Sequence, residues 1–250
     1  MVYRTNNGSS LPFNKLGENS VSKLDENLLR KLPPFSQISS SEISEILALS
    51  TKKTWNEGDT IFYQGAEAES FYLLLDGSIR VVRLTPGGDQ IVPLHIPAGQ
   101  LFGIAPALGH QTYPADAVAV VDCLTLCWPS RHWAEFVKHY DGFGSETWRT
   151  IGARMTELHE RIDEVSTRAV EQRVAAVILR LVRQYGRTVE DGIEITFPIT
   201  RATISEMTGT TLHTVSRMLS AWEKKGIVAS KRKHITVTDP HRMVLIADAD

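Results

Sequence analysis

Apolar residues recur at alternating spacings of three and four along the middle of the chain, with mostly polar residues between them. Two heptad registers carry them: Trp148, Met155 and Ile162 on one, and Ile151, Leu158 and Val165 on the other. This pattern is typical of a long helix with an a/d seam. It predicts a helix that pairs two copies of the chain in parallel. Packing of the same helix on its own domain is the alternative.

Short β-branched and aromatic runs alternate with glycine turns in the half of the chain before this helix. The predicted strands are Thr60–Tyr63, Ser70–Leu75, Ser78–Leu84, Gln90–Ile96, Ala117–Val121 and Leu124–Trp128. Many short strands at this spacing indicate a small antiparallel roll or barrel.

The half after the long helix has helical periodicity with short strands. An amphipathic helix ends at Tyr185-Gly186, and the predicted elements that follow are a strand at Ile193–Phe197, helices at Ala202–Thr208 and Leu212–Lys225, and a last strand at Ile235–Val237. Gly209 lies between the last two helices. Helix, glycine turn, helix and basic hairpin together predict a helix-turn-helix with a wing.

Polar side chains share one face near the start of the second helix of that motif. His213, Ser216 and Arg217 stand at i, i+3 and i+4, where a recognition helix meets base edges in the major groove. Thr211 at the helix start can hold a phosphate, and Thr200 and Arg201 begin the preceding helix. Any surface helix carries polar residues, but the combination with the turn and wing favours DNA binding.

Charge and composition narrow the class of protein. The net charge of the 250 residues is only −2, yet the segment from Arg217 to Arg242 is basic, which indicates an anionic partner at that end. No apolar run approaches the ~20 residues of a membrane span, and the polar N-terminus lacks a signal-peptide core, so we expect a cytoplasmic protein without a membrane partner. Two cysteines cannot form a disulfide framework.

A set of short motifs runs through the chain: Gly58–Phe62, Gln64-Gly65, Phe71–Gly77, Gln172–Ala175, Thr200-Arg201 and Thr214–Arg217. With these motifs, the chain from about Leu32 to its end resembles the CRP/FNR superfamily of bacterial transcription regulators. The resemblance implies an α+β fold: an antiparallel β-roll like a cyclic-nucleotide-binding domain, a long dimerisation helix and a C-terminal winged helix-turn-helix. We expect an arm over 1–30, the roll as a sensor domain over 31–141, the dimerisation helix over 142–166 and the DNA-binding domain over 167–250.

The resemblance also implies partners and residue roles. It implies a homodimer that binds an inverted repeat with T-T-G-like half-sites, in which Ser216 and Arg217 match base-contacting residues. His213 stands where relatives have a glutamate. The turn with Thr85, Gly88 and Asp89 matches a loop that touches RNA polymerase in the oxygen-regulator branch, which implies an activator; a plain hairpin turn is the alternative.

Departures from the family concern the sensor. Members that bind cyclic AMP use acidic and cationic side chains where this chain has Phe102-Gly103-Ile104 and Tyr113-Pro114-Ala115, so we expect no response to cyclic AMP. The N-terminal cysteine cluster of oxygen sensors is also missing, and the resemblance near Thr210–Trp222 is closest to nitrogen-oxide-responsive regulators.

Several alternatives therefore remain for the signal that controls the regulator. Cyclic-nucleotide control and a haem-dependent nitric oxide sensor are the alternatives, with His95, His110 and His159 as candidate haem ligands; no cofactor is certain. Cys123 and Cys127 lie on one face of a predicted strand, either as a redox pair or as small core residues. A cupin-like enzyme would need closely spaced histidine ligands, which the sequence lacks, so we predict no enzyme.

Overall fold

The structure is a computed structural model that describes residues 29–85, 87, 90–140, 142–231 and 233–249. Most of the expected arm over 1–30 lies outside the described residues, as do Gly88 and Asp89 of the predicted polymerase loop. The side chain of Val165 also lies outside the described part of the chain.

After Leu29, which is buried in the core, the described chain has a 3-10 turn at Pro33–Phe35 and the helix α1, Ser40–Ala48. The sequence Ser39-Ser40-Ser41-Glu42 forms a capping box, in which the Ser39 amide donates to Glu42 Oε2 at 2.9 Å. Ile43, Ile46 and Leu47 are buried on one face of α1, against the roll.

In the described residues, the roll consists of eight strands: β1 Thr51–Trp55, β2 Thr60–Phe62, β3 Ser70–Asp76, β4 Ser78–Leu84, β5 Gln90–Pro97, β6 Leu101–Phe102, β7 Asp116–Ala119 and β8 Cys123–Pro129. They make two antiparallel sheets, in the orders β1-β8-β3-β6 and β2-β7-β4-β5. One apolar cluster takes residues from both sheets, including Leu74, Phe102 and Ala117. The antiparallel roll is therefore confirmed, whereas β1 and β6 were not predicted.

The turn between β3 and β4 requires a glycine. Gly77 has φ +97°, and a Cβ at this position would lie 2.5 Å from Cys123 Sγ and 2.8 Å from the Asp122 carbonyl oxygen. Only a residue without a side chain fits, so this turn fixes β4 close to the start of β8.

A 3-10 turn at Ser130–His132 and the helix α2, Trp133–His139, lead into the long helix α3, Phe143–Thr167. The start of α3 is anchored by Phe143, whose ring meets those of Trp133 and Phe136 at centroid distances of 5.5 and 5.6 Å. The predicted long helix is thus present, and it begins and ends slightly beyond the predicted heptads.

The C-terminal half contains α4 Val170–Tyr185, β9 Gly186–Val189, β10 Gly192–Ile195, α5 Arg201–Thr208, α6 Leu212–Lys224, β11 Val228–Lys231, β12 His234–Val237 and α7 Pro240–Ala247. Its strands pair in the order β11-β12-β10-β9. The predicted strand at Ile193–Phe197 is wrong at its end: Phe197 lies outside β10 and is buried against Tyr185 and His95 instead. β9 and α7 were not predicted, and β11 was predicted only as the first strand of the basic hairpin, without bounds.

The core of the C-terminal half continues into the roll. Val82, Val92 and Val118 of the roll belong to the same buried cluster as Ile204, Val215 and Trp222. The two halves therefore pack against each other through apolar side chains in addition to their connection through α3 and α4.

Candidate nucleic-acid interface

The turn between α5 and α6 is set by its caps. Thr200 begins α5 and accepts a hydrogen bond from the Thr203 amide at 3.0 Å, and Thr211 begins α6 in the same way by accepting from the Thr214 amide at 3.2 Å. Gly209 ends α5 with φ +60°. These local signals fix two short helices with a sharp turn between them, the geometry of a helix-turn-helix.

Helix α6 has one buried face and one exposed face. Val215 and Leu219 are 0% exposed and Trp222 is 1% exposed, and the Trp222 indole donates to Glu171 Oε1 at 3.0 Å. On the opposite face His213 and Arg217 are exposed and Ser216 is partly exposed. The three predicted base-reading residues thus share the accessible face, with Thr211 exposed at its start.

Arg201 is engaged inside the motif. Its guanidinium donates to Ser220 Oγ at 3.3 Å and pairs with Glu223 at 3.3 Å, so it connects the start of α5 to the end of α6. The side chain is still 36% exposed. Its sequence-predicted role was DNA contact, and the structure adds a positioning role that the spacing of residues did not reveal.

Exposed cations lie on the hairpin and at the end of α6. Lys231 and Lys233 lie at the β11–β12 hairpin, Lys233 with φ +68°, and Lys224 and Lys225 lie at the end of α6. All four are exposed. Lys231 and Lys233 line the same groove as Thr200, Arg201 and Leu212, so the hairpin brings two cations beside the helix starts, in the place of a wing, where they favour attraction of a phosphate backbone.

Comparison with known proteins agrees with this geometry. A cyclic nucleotide-binding domain family matches residues 52–140, and a Crp-like helix-turn-helix domain family matches residues 172–245. The fumarate and nitrate reduction regulatory protein of Escherichia coli K12 is 28% identical over 197 residues, which cover 78% of this chain and 78% of that protein. The chain belongs to the CRP/FNR family of transcription regulators.

Similarity to two further proteins agrees with this family assignment. The global nitrogen regulator of Nostoc is 27% identical over 192 residues, covering 75% of this chain and 85% of that one. The structure of FixK2 from Bradyrhizobium japonicum superposes with a TM-score of 0.70 at 20% identity, over 80% of this chain and 98% of that one. This CRP/FNR chain is a DNA-binding transcription regulator with an α+β fold.

The candidate dimer residues of this CRP/FNR protein fall into two groups. Trp148, Met155 and Ile162 are 61%, 52% and 62% exposed and form an apolar stripe along α3. Ile151 and Leu158 are only partly exposed, and both line a cavity between α3 and the roll, to which Met155 of the stripe also contributes.

That cavity has a volume of about 260 Å³. Its roll side includes Phe102, Gly103, Tyr113, Pro114 and Ala115, the segments whose departure from cyclic-nucleotide-binding relatives the sequence indicated. Its lining residues are apolar apart from Tyr113, whose hydroxyl donates to the Ser70 carbonyl at 2.6 Å, and Arg154 of α3, whose Nη2 donates to the Leu101 carbonyl at 2.7 Å. Arg154 was not predicted as a site residue, because the heptad pattern placed it among solvent-facing polar positions.

The candidate haem ligands do not meet at this cavity. His95 is buried and stacks on Phe197 with centroids 5.3 Å apart, while His110 and His159 are exposed, and none of the three lines the cavity. In the described ranges no group of three or more metal-ligating side chains is present. These three histidines therefore do not fit a haem in the cavity.

Cys123 and Cys127 are buried as free thiols in the roll core. Burial raises the pKa of the Cys123 thiol to about 11, and its Sγ donates to the Ser78 and Val121 carbonyls. A reactive cysteine needs an accessible thiolate, so this environment favours the core role over the redox pair.

Within the described segments, no helix has the length and apolar character to cross a membrane.

Proposed function

We propose that this CRP/FNR regulator binds DNA as a homodimer, with two α6 helices in adjacent major grooves of an inverted repeat of T-T-G-like half-sites. The observation that carries the proposal is the division of α6 into a fully buried apolar face and an exposed face with His213, Ser216 and Arg217. A twofold protein requires half-sites related by the same symmetry, about one helical turn apart. A mobility-shift assay tests this: an inverted repeat should bind much more tightly than a single half-site.

The phosphate contacts come from the residues around that face. Thr200 and Thr211 present hydroxyls at two helix starts, where helix dipoles favour an anion, and Arg201 retains 36% exposure beside them. Such contacts set the position of the protein on the duplex and carry no sequence information. They should make the affinity strongly dependent on salt concentration.

The homodimer is supported by the stripe of Trp148, Met155 and Ile162. These three large apolar side chains lie along one line of α3 and are each more than half exposed, which is unfavourable in water. Pairing of α3 with the same helix of a second copy would bury them. Ile151, Leu158 and Val165 complete the seam in the proposal. Ile151 and Leu158 then line the cavity and also contact the partner helix.

Ile162→Glu is expected to convert the dimer to monomers and abolish high-affinity binding to the inverted repeat, because the substitution places a charge in the seam. Leu158→Glu should act in the same direction but also disturb the cavity. Light scattering and a mobility-shift assay measure the two effects. Thr156→Glu, an exposed position on the same helix outside both registers, is the control and should stay dimeric. A dimeric Ile162→Glu protein would show that the seam is elsewhere.

The sensor half does not favour cyclic nucleotides. The apolar segments Phe102–Ile104 and Tyr113–Ala115 offer no side-chain charge to a ribose or cyclic phosphate, although the roll matches the cyclic nucleotide-binding family. Calorimetry with cyclic AMP and cyclic GMP discriminates this alternative. A haem-dependent nitric oxide sensor would need axial ligands other than His95, His110 and His159, and a Soret band in anoxically purified protein is its test.

RNA polymerase is the second proposed partner, through the loop with Thr85, Gly88 and Asp89. Asp89→Ala is expected to lower transcription from a target promoter while DNA affinity stays unchanged, because in this proposal the loop contacts the polymerase and not the duplex. In vitro transcription and a mobility-shift assay on the same preparation measure the two quantities, with Glu190→Ala as a surface control. Parallel loss of transcription and DNA affinity would mean that the loop is only structural.

A further inference from the structure

The roll and the DNA-binding half meet around a small cavity of about 130 Å³. Its polar and charged lining comes from both halves: Thr200, Thr203 and Lys233 from the DNA-binding half, and Glu57, Arg80 and His95 from the roll. Thr200 and Lys233 also line the groove beside the start of α6. The cavity therefore adjoins the face that we propose for DNA contact, and part of its wall belongs to the roll.

The topology of the roll places Arg80 on the wall of this cavity. Arg80 lies on β4 and is the cross-strand partner of His95 on β5 and of Val118 on β7. Cross-strand partners share one face of a sheet. Val118 is buried in the cluster that the roll shares with the DNA-binding half, and the His95 ring stacks on Phe197 of that half at a centroid distance of 5.3 Å. Arg80 is therefore on the face of the roll that packs on the DNA-binding half, and it is partly exposed.

A backbone hydrogen bond holds the cation of the hairpin beside the same cavity. The Ile199 amide donates to the Lys233 carbonyl oxygen at 2.7 Å, directly before the helix start at Thr200. Lys233 has φ +68°, a left-handed conformation that is uncommon for residues other than glycine. The hydrogen bond keeps the hairpin close to the start of α5, so Lys233 and Thr200 lie together on one side of the cavity.

The cations of the cavity are not neutralised by the protein itself. Over the residues that the structure describes, neither Arg80 nor Lys233 forms an ion pair. Glu57 also lines the cavity, but it is exposed and pairs with neither of them. A partly buried guanidinium without an ion-pair partner favours contact with an anion. The dipole of α5 acts in the same direction, because it places partial positive charge at the start of the helix.

We propose that the cavity receives a phosphate of the DNA backbone, so that Arg80 of the sensor roll is itself a DNA contact. The proposal rests on the proposed function and deepens it, because it adds the roll to the surface that binds the duplex. The small volume favours a single phosphate group over a whole nucleotide. A backbone that follows the groove past Lys233 and Thr200 reaches Arg80 next, and a guanidinium can bind two phosphate oxygens at once.

Glu57 has the opposite effect in this proposal. Its carboxylate lines the same cavity and repels an incoming phosphate. Removing the charge of Arg80 should therefore weaken DNA binding, and removing the charge of Glu57 should strengthen it. Both effects should be the same for every DNA sequence, because a phosphate contact carries no sequence information.

The salt dependence of DNA binding by the full-length protein tests the role of Arg80. Arg80→Gln should reduce the slope of log affinity against log salt concentration by about one per subunit, and it should weaken binding to the inverted repeat and to an unrelated duplex by the same factor. Arg80→Lys should retain most of the slope, because it keeps the charge.

Arg83→Gln is the matched control for Arg80→Gln. Arg83 is exposed on the same strand and does not line the cavity, so its substitution should leave the slope unchanged. An unchanged slope in Arg80→Gln would overturn the proposal. An equal loss of slope in Arg83→Gln would also overturn it, because the effect would then be one of net charge.

Glu57→Gln keeps the test decisive if Arg80→Gln loosens the packing of the roll, because Glu57 is exposed. The variant should bind both duplexes more tightly than the wild type. Glu67→Gln, at another exposed position of the roll that does not line the cavity, is its control and should bind as the wild type does. Unchanged or weaker binding by Glu57→Gln, or an equal gain in Glu67→Gln, counts against the proposal.

Duplexes in which single phosphates are replaced by uncharged methylphosphonates locate the contact. At least one replacement should weaken binding by the wild type and have no effect on Arg80→Gln. If every replacement weakens the two proteins equally, Arg80 contacts no phosphate. Binding of the wild type to the inverted repeat is measured first, because its absence would refute the proposed function, whereas normal binding with unchanged slopes would refute only the contribution of the roll.

Discussion

Arg180→Leu is expected to lower the free energy of unfolding by about 3–5 kcal/mol, because it leaves a mostly buried carboxylate without its partner. Arg180 Nη2 lies 2.7 Å from both carboxylate oxygens of Glu164, and the two side chains are only 5% and 14% exposed. The pair joins the end of α3 to α4, so the loss should also loosen the connection between the dimer helix and the DNA-binding half. Urea unfolding at a fixed protein concentration measures the effect.

The exposed pair of Arg187 and Glu194 provides a matched comparison. Its side chains are 64% and 25% exposed at an N–O distance of 2.9 Å, so Arg187→Leu should cost no more than about 1 kcal/mol. The double variant Arg180→Leu/Glu164→Leu should recover much of the lost stability, because it removes both charges together. An Arg180→Leu protein as stable as Arg187→Leu would mean that water reaches the inner pair and screens it.

The elements that the sequence predicted well are those with a single environment on each face. The strands β3 and β4 are apolar runs separated by a glycine turn. Helix α6 has one apolar face, which is buried in the core. β1 was missed because Lys52 and Lys53 leave it largely exposed and remove the apolar alternation. α7 was missed although the signal is present: Asp239 caps it by accepting from the Arg242 amide at 3.0 Å, and Pro240 follows.

The site residues that were harder to predict from the sequence are those that can contact either of two neighbours. A heptad pattern assigns each position of α3 to a seam or to solvent, but α3 has a third neighbour, the roll. Ile151, Leu158 and Arg154 face that neighbour, and the sequence alone could not separate contact with the roll from contact with a partner helix. The burial of Arg180 was not predicted for a similar reason. A charged residue on an amphipathic helix is expected in solvent unless its ion-pair partner is known.

Base recognition gives the largest expected effect on function. Arg217→Ala is expected to weaken binding by about 1–3 kcal/mol per half-site and to flatten selectivity at one guanine, because an arginine can donate two hydrogen bonds to O6 and N7. Lys231→Ala on the exposed hairpin is the comparison: it should weaken binding to all sequences about equally and reduce the salt dependence. Selection from randomised half-sites measures both. An Arg217→Ala protein with unchanged selectivity would mean that Arg217 contacts only phosphate.

His213→Glu is expected to change the preferred base just inward of the T-T-G core and to leave the core itself intact. His213 is exposed on the same face as Arg217 and one turn nearer the start of α6, so in the proposed complex it should reach a neighbouring base pair. A neutral imidazole can donate to guanine N7 or O6, whereas a glutamate can only accept, as from cytosine N4. The exchange should therefore replace a purine preference by cytosine at the inner position. The same selection from randomised half-sites detects it, and an unchanged motif would place His213 against phosphate or solvent.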